Sequence, residues 1–236
     1  MPFSLVDYFR MFQKRGVRLV VGYFFGSHLF DLVRGTDTHT WRPKDCENDI
    51  IDLVEKSEGV LYMASWTGEI RRSVHFLKQL LGKQFYDFQF LDAGCGKGKP
   101  CLVFSEIVDP TKVLHRPLGI DYSISNINIA NKNLTVAMKG GRIQKASCSP
   151  LYVCSSISQF SNYLTSESVI VYMYNPFEGK ALSDFIEKLT RIRSFVVYNN
   201  PVHDNLFLRS GFCVVRKVEG WHPNCRTTIL RSPVLC

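Results

Sequence analysis

Residues 88–104 read FQFLDAGCGKGKPCLVF, and this stretch decides the fold. An apolar run, Phe88–Ala93, carries Asp92 near its end, passes into a turn holding Gly94, Gly96 and Gly98, and continues as a helical pattern over Lys99–Val108. Glycine allows the positive φ angles of a tight turn and lets a ligand approach the backbone more closely than any Cβ would permit. The helix that follows presents free N–H groups in its first turn. Such turns also serve plain strand-to-helix connections, so the surroundings decide. The next apolar run, Leu118–Tyr122, carries Asp121, 29 residues after Asp92. An acid at the end of the second strand of a β-α-β unit accepts hydrogen bonds from ribose hydroxyls. Strand, glycine turn, helix and ribose-reading acid together predict a site for an adenosine-type cofactor.

Beyond this unit, apolar runs alternate with helical patterns in the rhythm of a parallel sheet. Further strands are expected at Leu151–Cys154, Val169–Tyr174, Phe195–Asn199, Phe212–Lys217 and Thr227–Leu230. Further helices are expected at Ser123–Met138, Gly179–Arg191 and Val202–Arg209. The fold class expected is α/β: a Rossmann-like, seven-stranded, mostly parallel sheet with helices on both faces. Residues 84–236 form this core. Residues 1–83 read as helices and loops, with helices at Glu47–Val60 and Thr67–Leu81, and as an N-terminal helical cap within the same domain. A chain of 236 residues is long enough for one such domain with a full core.

The formal net charge of +8 favours anionic partners. The basic residues are scattered, and the tightest cluster, Lys139, Arg142 and Lys145, fits a solvated loop. In the opening segment Leu5, Tyr8, Phe9 and Phe12 share one helical face, with Arg10, Lys14 and Arg15 elsewhere. A basic amphipathic helix either lies on a membrane surface or packs on its own domain; packing is the expectation. The most apolar segment, Leu19–Phe30, falls short of the roughly 20 residues that span a bilayer. Asp7, Arg10 and Lys14 interrupt any signal-like run. A cytoplasmic protein without an integral membrane segment is expected. The eight cysteines include no CxxC pair, which predicts reduced, mostly buried thiols and no metal site.

The dinucleotide pattern GxGxxG needs a glycine at the position held by Lys99. The pattern present is GxGxG preceded by an acid. In LDAGCGKG the chain resembles the class I S-adenosylmethionine-dependent methyltransferases, whose first motif has this form. The resemblance implies S-adenosylmethionine as cofactor, with Gly94, Cys95, Gly96 and Gly98 beside its methionine part. It implies also that Asp92 fixes the turn or the methionine amino group, and that Asp121, with Tyr122 next to it, holds the ribose. Where Gly-Asp is usual after the third strand, near the adenine amino group, this chain has Ser155 and Ser156, whose hydroxyls and backbone groups become the expected adenine contacts.

The fourth strand, VIVYMYNPFEG, ends in Asn175-Pro176-Phe177. This looks like the NPPY or NPPF element of amino-directed methyltransferases, with one proline missing. In that element a polar side chain and a proline carbonyl hold the target amine while the aromatic ring stacks on the substrate. Asn175, Pro176 and Phe177 are therefore the expected catalytic residues; the other reading of Asn175 is a helix cap. The order FDLVRGTDT (Phe30 to Thr38), glycine turn, YNPF and Asn200-Pro201-x-His203 also resembles a bacterial methyltransferase-like group of undefined acceptor, over about Phe30 to Leu230.

The activity implied is N-methylation of a protein or nucleic acid. Competing readings are a non-catalytic binding or scaffold protein of the same fold, suggested by Ser155-Ser156, and a methyltransferase of small molecules. An NAD-linked oxidoreductase is disfavoured by Lys99. Further candidates each have two readings. His203 is a base near the acceptor or a structural residue. Tyr62 and Trp66 roof the site or fill the core. Asp37 and Thr38 close over the cofactor or cap a turn.

Overall fold

The computed structural model describes residues 5–40, 59, 62–143 and 146–236. Cys46, Lys145 and the helix expected at Glu47–Val60, Gly59 apart, lie outside the described residues.

Seven strands form one sheet: β1 (Gln89–Ala93), β2 (Leu118–Asp121), β3 (Leu151–Cys154), β4 (Ser168–Tyr174), β5 (Arg193–Asn199), β6 (Cys213–Val218) and β7 (Thr227–Arg231). Their spatial order is β3-β2-β1-β4-β5-β7-β6. The pairings from β3 across to β5 are parallel. β7 runs antiparallel to both of its neighbours, β5 and β6. The described helices are α1 (Leu5–Arg15), α2 (Val17–Tyr23), α3 (Leu29–Arg34), α4 (Thr67–Leu81), α5 (Lys99–Ile107), α6 (Ile124–Lys139), α7 (Gly179–Leu189) and α8 (Asp204–Arg209). The fold is the Rossmann-like α/β class expected from the sequence.

The central strands read as near-continuous apolar runs because both faces of the sheet are covered. Phe90, Ile170, Tyr172 and Val197 point to one face, where they pack with Ile70, Val74 and Leu77 of α4 and with Leu102 and Phe104 of α5. Leu91, Val171, Met173 and Val196 point to the other, against Leu182, Phe185 and Ile186 of α7 and Phe207 of α8.

Element ends shift where caps decide them. Ser123 precedes α6 as its N-cap, and its Oγ accepts the Asn126 N–H at 3.3 Å. α8 begins at Asp204 rather than Val202, because the chain leaves β5 through Asn200 in the left-handed region (φ 51°) and then through a proline. The apolar segment Leu19–Phe30 is not one helix: a π-helical turn, Phe24–His28, joins α2 to α3.

The expectation that the apolar stripe of α1 packs on its own domain holds only in part. Tyr8 faces inward, its ring against Phe24 and His28, whereas Phe9 and Phe12 are 59% and 51% exposed. Phe9 and Phe12 share a flank of the helix next to that of Tyr8, so the stripe is covered along one edge only. Of the seven described cysteines none is disulfide-bonded; four are buried and Cys236 is exposed. Among the described residues no helix is long and apolar enough to cross a membrane.

Phe30 of α3 sits in the same buried cluster as Phe90 and Phe104. Beside it, Arg34 makes a bidentate pair with Glu106 of α5, Nε to Oε1 at 2.7 Å and Nη2 to Oε2 at 2.5 Å, with both side chains 9% exposed. Removing one partner of a buried pair strands the other charge. Arg34→Met is expected to lower unfolding free energy by about 3 kcal/mol. Cap and sheet should still unfold in one transition, because they share one core. Urea titrations followed by fluorescence and by circular dichroism check both points; separate transitions would make the cap an independent unit.

Candidate functional site

β1 and β4 are adjacent, but β1 leads to β2 on one side while β4 leads to β5 on the other. Where strand order reverses in this way, the connections leave in opposite directions and open a crevice at the carboxyl ends of the strands. That crevice is present, and residues at the ends of β1, β2, β3 and β4 line it. Of the residues expected from the sequence, Asp92, Gly94, Cys95, Asp121, Tyr122, Ser155, Pro176 and Phe177 line it. Gly96, Gly98, Ser156 and Asn175 do not.

The turn after β1 is held by its own backbone and by one side chain. The N–H groups of Gly94 and Cys95 both donate to the Ile120 carbonyl at 2.9 Å, and Gly98 N–H donates to Cys95 O at 2.9 Å. Gly96 N–H donates to Asp121 Oδ2 at 2.8 Å. Gly94 and Gly96 are demanded by neighbours as well as by positive φ. A Cβ on Gly94 would lie 2.3 Å from Pro176 Cβ, and one on Gly96 would lie 2.2 Å from Cε2 of Tyr62. The YNPF element and the cap thus meet on the turn itself.

Two carboxylates face this space. Asp121 also accepts the Ser123 N–H at 2.9 Å through Oδ1, with Asn126 Nδ2 at 3.4 Å. Burial pushes its carboxyl up, against the pull of the Ser123 and Gly96 amides. Asp92 is 2% exposed, and its Oδ2 has no hydrogen-bond partner among the described residues. Burial, and then the charge of Asp121, push its carboxyl well above the usual range; the Cys101 amide in the first turn of α5 opposes this.

The two lysines of the turn carry their charges away from these acids. Lys97 Nζ donates to Asp37 at 3.0 and 3.1 Å and to Thr40 O at 2.7 Å. Lys99 Nζ lies 3.4–3.5 Å from Gly26 O, Ser27 O and Ser27 Oγ, at the π-helical turn. Burial lowers Lys99 to about 7, with Asp31 opposing the fall. Asn133 of α6 joins the two segments: its Nδ2 donates to the carbonyls of Asp37 and Lys97, and its Oδ1 accepts the Asp37 N–H. Asp37 is therefore tied to the glycine turn, while Thr38 is tied to Asp31 through its N–H and its hydroxyl. Tyr62 lies over Gly96 and donates its hydroxyl to Thr38 O at 2.5 Å, lining the cleft from the cap side. Trp66 is core, stacked on His222 at 5.3 Å with planes 3° apart.

After β3, Ser155 lines the cleft; its N–H donates to Asp121 O, and its Oγ lies 3.3 Å from Gln159 Oε1. Ser156 instead caps the short turn Ile157–Tyr163, its Oγ accepting the Ser158 N–H. After β4, Phe177 packs edge-on against Phe185 of α7, so its ring belongs to the core while its flank borders the cleft. Asn175 sits in the left-handed region (φ 43°) and is 9% exposed. Its Oδ1 accepts the Tyr198 hydroxyl at 2.9 Å. The His203 N–H in turn donates to that hydroxyl, which leaves the Tyr198 proton for Asn175 and sets the orientation of the carboxamide. Asn175 does not cap α7, whose N-cap is Glu178 without a side-chain hydrogen bond. The His203 ring lies 3.8 Å from the Glu178 carboxylate, outside the cleft lining.

Several contributors were not singled out from the sequence. Asn126 and Asn133 had a readable signal, being polar residues seven apart on the buried face of one helix. Lys97, Asp31 and Tyr198 had none, because their partners lie on distant segments.

No family model matches the chain, and no curated protein matches it. Among solved structures, magnesium protoporphyrin IX methyltransferase from Synechocystis is 14% identical, covers 91% of this chain and 94% of its own, and has a TM-score of 0.48. Ribosomal protein L11 methylase from Lactobacillus delbrueckii subsp. bulgaricus is 11% identical over 70% of this chain and 77% of its own, with a TM-score of 0.46. A glycopeptide N-methyltransferase complexed with sinefungin is 11% identical over 72% and 95%, with a TM-score of 0.49.

Proposed function

We propose that the protein binds S-adenosylmethionine in this cleft and transfers its methyl group to a nitrogen of a protein or nucleic acid. The observation that carries the reading is Asp92 Oδ2, a buried carboxylate oxygen without a hydrogen-bond partner among the described residues, on a side chain that lines the crevice under a glycine turn. Burying an unpaired carboxylate is costly, and a cation placed against it recovers that cost. The α-ammonium group of a methionine moiety is such a cation, and the ribose hydroxyls fit the lone pairs left on Asp121. A dinucleotide fits poorly, since its pyrophosphate would meet two acids whose nearest lysines point elsewhere.

Bound there, S-adenosylmethionine supplies a methyl group already activated on a sulfonium. The chain's own part is to orient and to exclude water. Gly94 and Gly96 allow close approach, Tyr62 covers the turn, and Ser155 borders the adenine side. Pro176 and the backbone that Asn175 anchors through Tyr198 form the wall on which an acceptor nitrogen is aimed. Alignment of this kind needs no strong base. The net charge of +8 suits a nucleic acid or an acidic protein surface as acceptor. The position of Asn175, held by Tyr198 and outside the cleft lining, favours the second reading, a cofactor-binding protein without turnover.

Three measurements test these statements. Asp121→Ala is expected to weaken S-adenosylhomocysteine binding by about 1.5–3 kcal/mol in isothermal titration; an unchanged dissociation constant in a folded variant removes Asp121 from the ribose.

Because the folded state raises the Asp92 pKa, its contribution to stability is greatest below the unfolded value of about 4 and is lost as pH rises through the folded one. Asp92→Asn is expected to flatten the fall in ligand-free stability between about pH 5 and about pH 8, and to weaken binding of the ligand. Urea titration across that range reads the slope; equal slopes contradict the assignment.

Asn175→Ala is expected to slow methyl transfer by roughly a hundredfold while the cofactor dissociation constant stays within about twofold. Radiolabelled methyl transfer into cell lysate compares the two proteins. Equal labelling removes Asn175 from the reaction, and no labelling by the wild type despite tight binding supports the second reading.

A further inference from the structure

We propose that the N-terminal helices carry a docking surface for an anionic lipid bilayer, formed by the exposed apolar stripes of α1 and α2 and the basic residues that flank them. The proposal is independent of methyl transfer. Val6, Phe9 and Phe12 recur every three residues along one side of α1 and are 56%, 59% and 51% exposed. Val17, Val21 and, in the π-helical turn, Phe25 recur every four residues and are 61%, 47% and 62% exposed. Neighbouring positions attach the helices to the rest of the chain: Tyr8 packs against Phe24 and His28, and Leu19 is buried. Single exposed apolar side chains are ordinary, but two stripes on consecutive helices, with three phenylalanines among them, are not.

Charge selects the occupant. Between Asp7 and Asp31 the chain has no acidic residue and four basic ones, Arg10, Lys14, Arg15 and Arg18. Arg10, four residues after Val6, borders the stripe, and Lys14, one turn further on, extends the basic side of α1 away from it beside Met11 and Arg15; both are exposed. A helix with phenylalanines on one side and Arg and Lys on its polar side lies in the interface plane, rings in the acyl boundary and cations at anionic headgroups. A second copy of this chain would bring the same cations face to face, so self-association through this surface is opposed. At 11 and 7 residues the helices are too short to span, which suits a peripheral mode of binding.

Co-sedimentation of the full chain with vesicles tests the proposal, using phosphatidylcholine alone and a mixture of phosphatidylcholine with about one quarter phosphatidylglycerol. Pelleting with the anionic vesicles and little with the neutral ones is expected. Phe9→Ser with Phe12→Ser, and separately Arg10→Glu with Lys14→Glu, should each reduce the bound fraction about tenfold. Melting temperatures should be unchanged, since all four side chains are exposed. Equal binding to both vesicle types, or variants that bind as the wild type does, overturns the proposal. So does absence of pelleting, which leaves an acidic protein as the occupant. A lipid-free dimer in light scattering that Phe9→Ser with Phe12→Ser disperses assigns the face to a second copy and overturns it as well.

Discussion

The hydrogen bond from the Gly96 amide to the Asp121 carboxylate joins the two strand ends on which the cleft is built. It ties the turn after β1 to the end of β2, so the backbone over the cleft is held by an acid that also lines it. The space constraint follows from the same turn. With Pro176 from β4 over Gly94 and Tyr62 from the cap over Gly96, no side chain larger than hydrogen fits at either position. A single loop therefore sets the spacing of three parts of the molecule that are far apart in sequence.

Electrostatics divides the turn into an inner and an outer side. The acids Asp92 and Asp121 face the crevice, while the two lysines are spent on the cap, Lys97 on Asp37 and Lys99 on the carbonyls of the π-helical turn. A basic protein thus keeps a locally acidic cavity. Two backbone carbonyls of the π-helical turn, those of Gly26 and Ser27, face the Lys99 ammonium.

Much of the sheet was legible because central parallel strands, covered on both faces, must be apolar throughout; Leu151–Cys154 and the helix Thr67–Leu81 match their expected limits. The glycine turn was legible because positive φ restricts residue type locally, and Asp121 because an acid at the end of an apolar run stands out against it. What was not legible depended on register. Asn175 meets Tyr198 only because Met173 and Tyr198 pair across β4 and β5, and side-chain direction alternates along each strand. Nothing in the linear pattern states that register. Ser155 and Ser156 read alike, yet one borders the cleft and the other caps a turn, because a single residue step reverses the side that is faced. The outward stripe of α1 was misjudged in part, since amphipathic spacing identifies a common face without saying what covers it.

The sheet's margins have a consequence for how the protein behaves in a crowded cell. Its two outermost strands are β3 and β6, and an uncovered strand margin is a template for pairing with another chain. β3 is four residues long, which leaves little to copy. β6 carries Arg216 and Lys217, and its register slips between Val214 and Arg216. Neither margin offers a long, flat, uncharged ladder. Reversal of β7, placed between β5 and β6, puts the charged and irregular strand outermost instead of the buried and apolar one. Resistance to edge-to-edge aggregation is thereby written into the strand order.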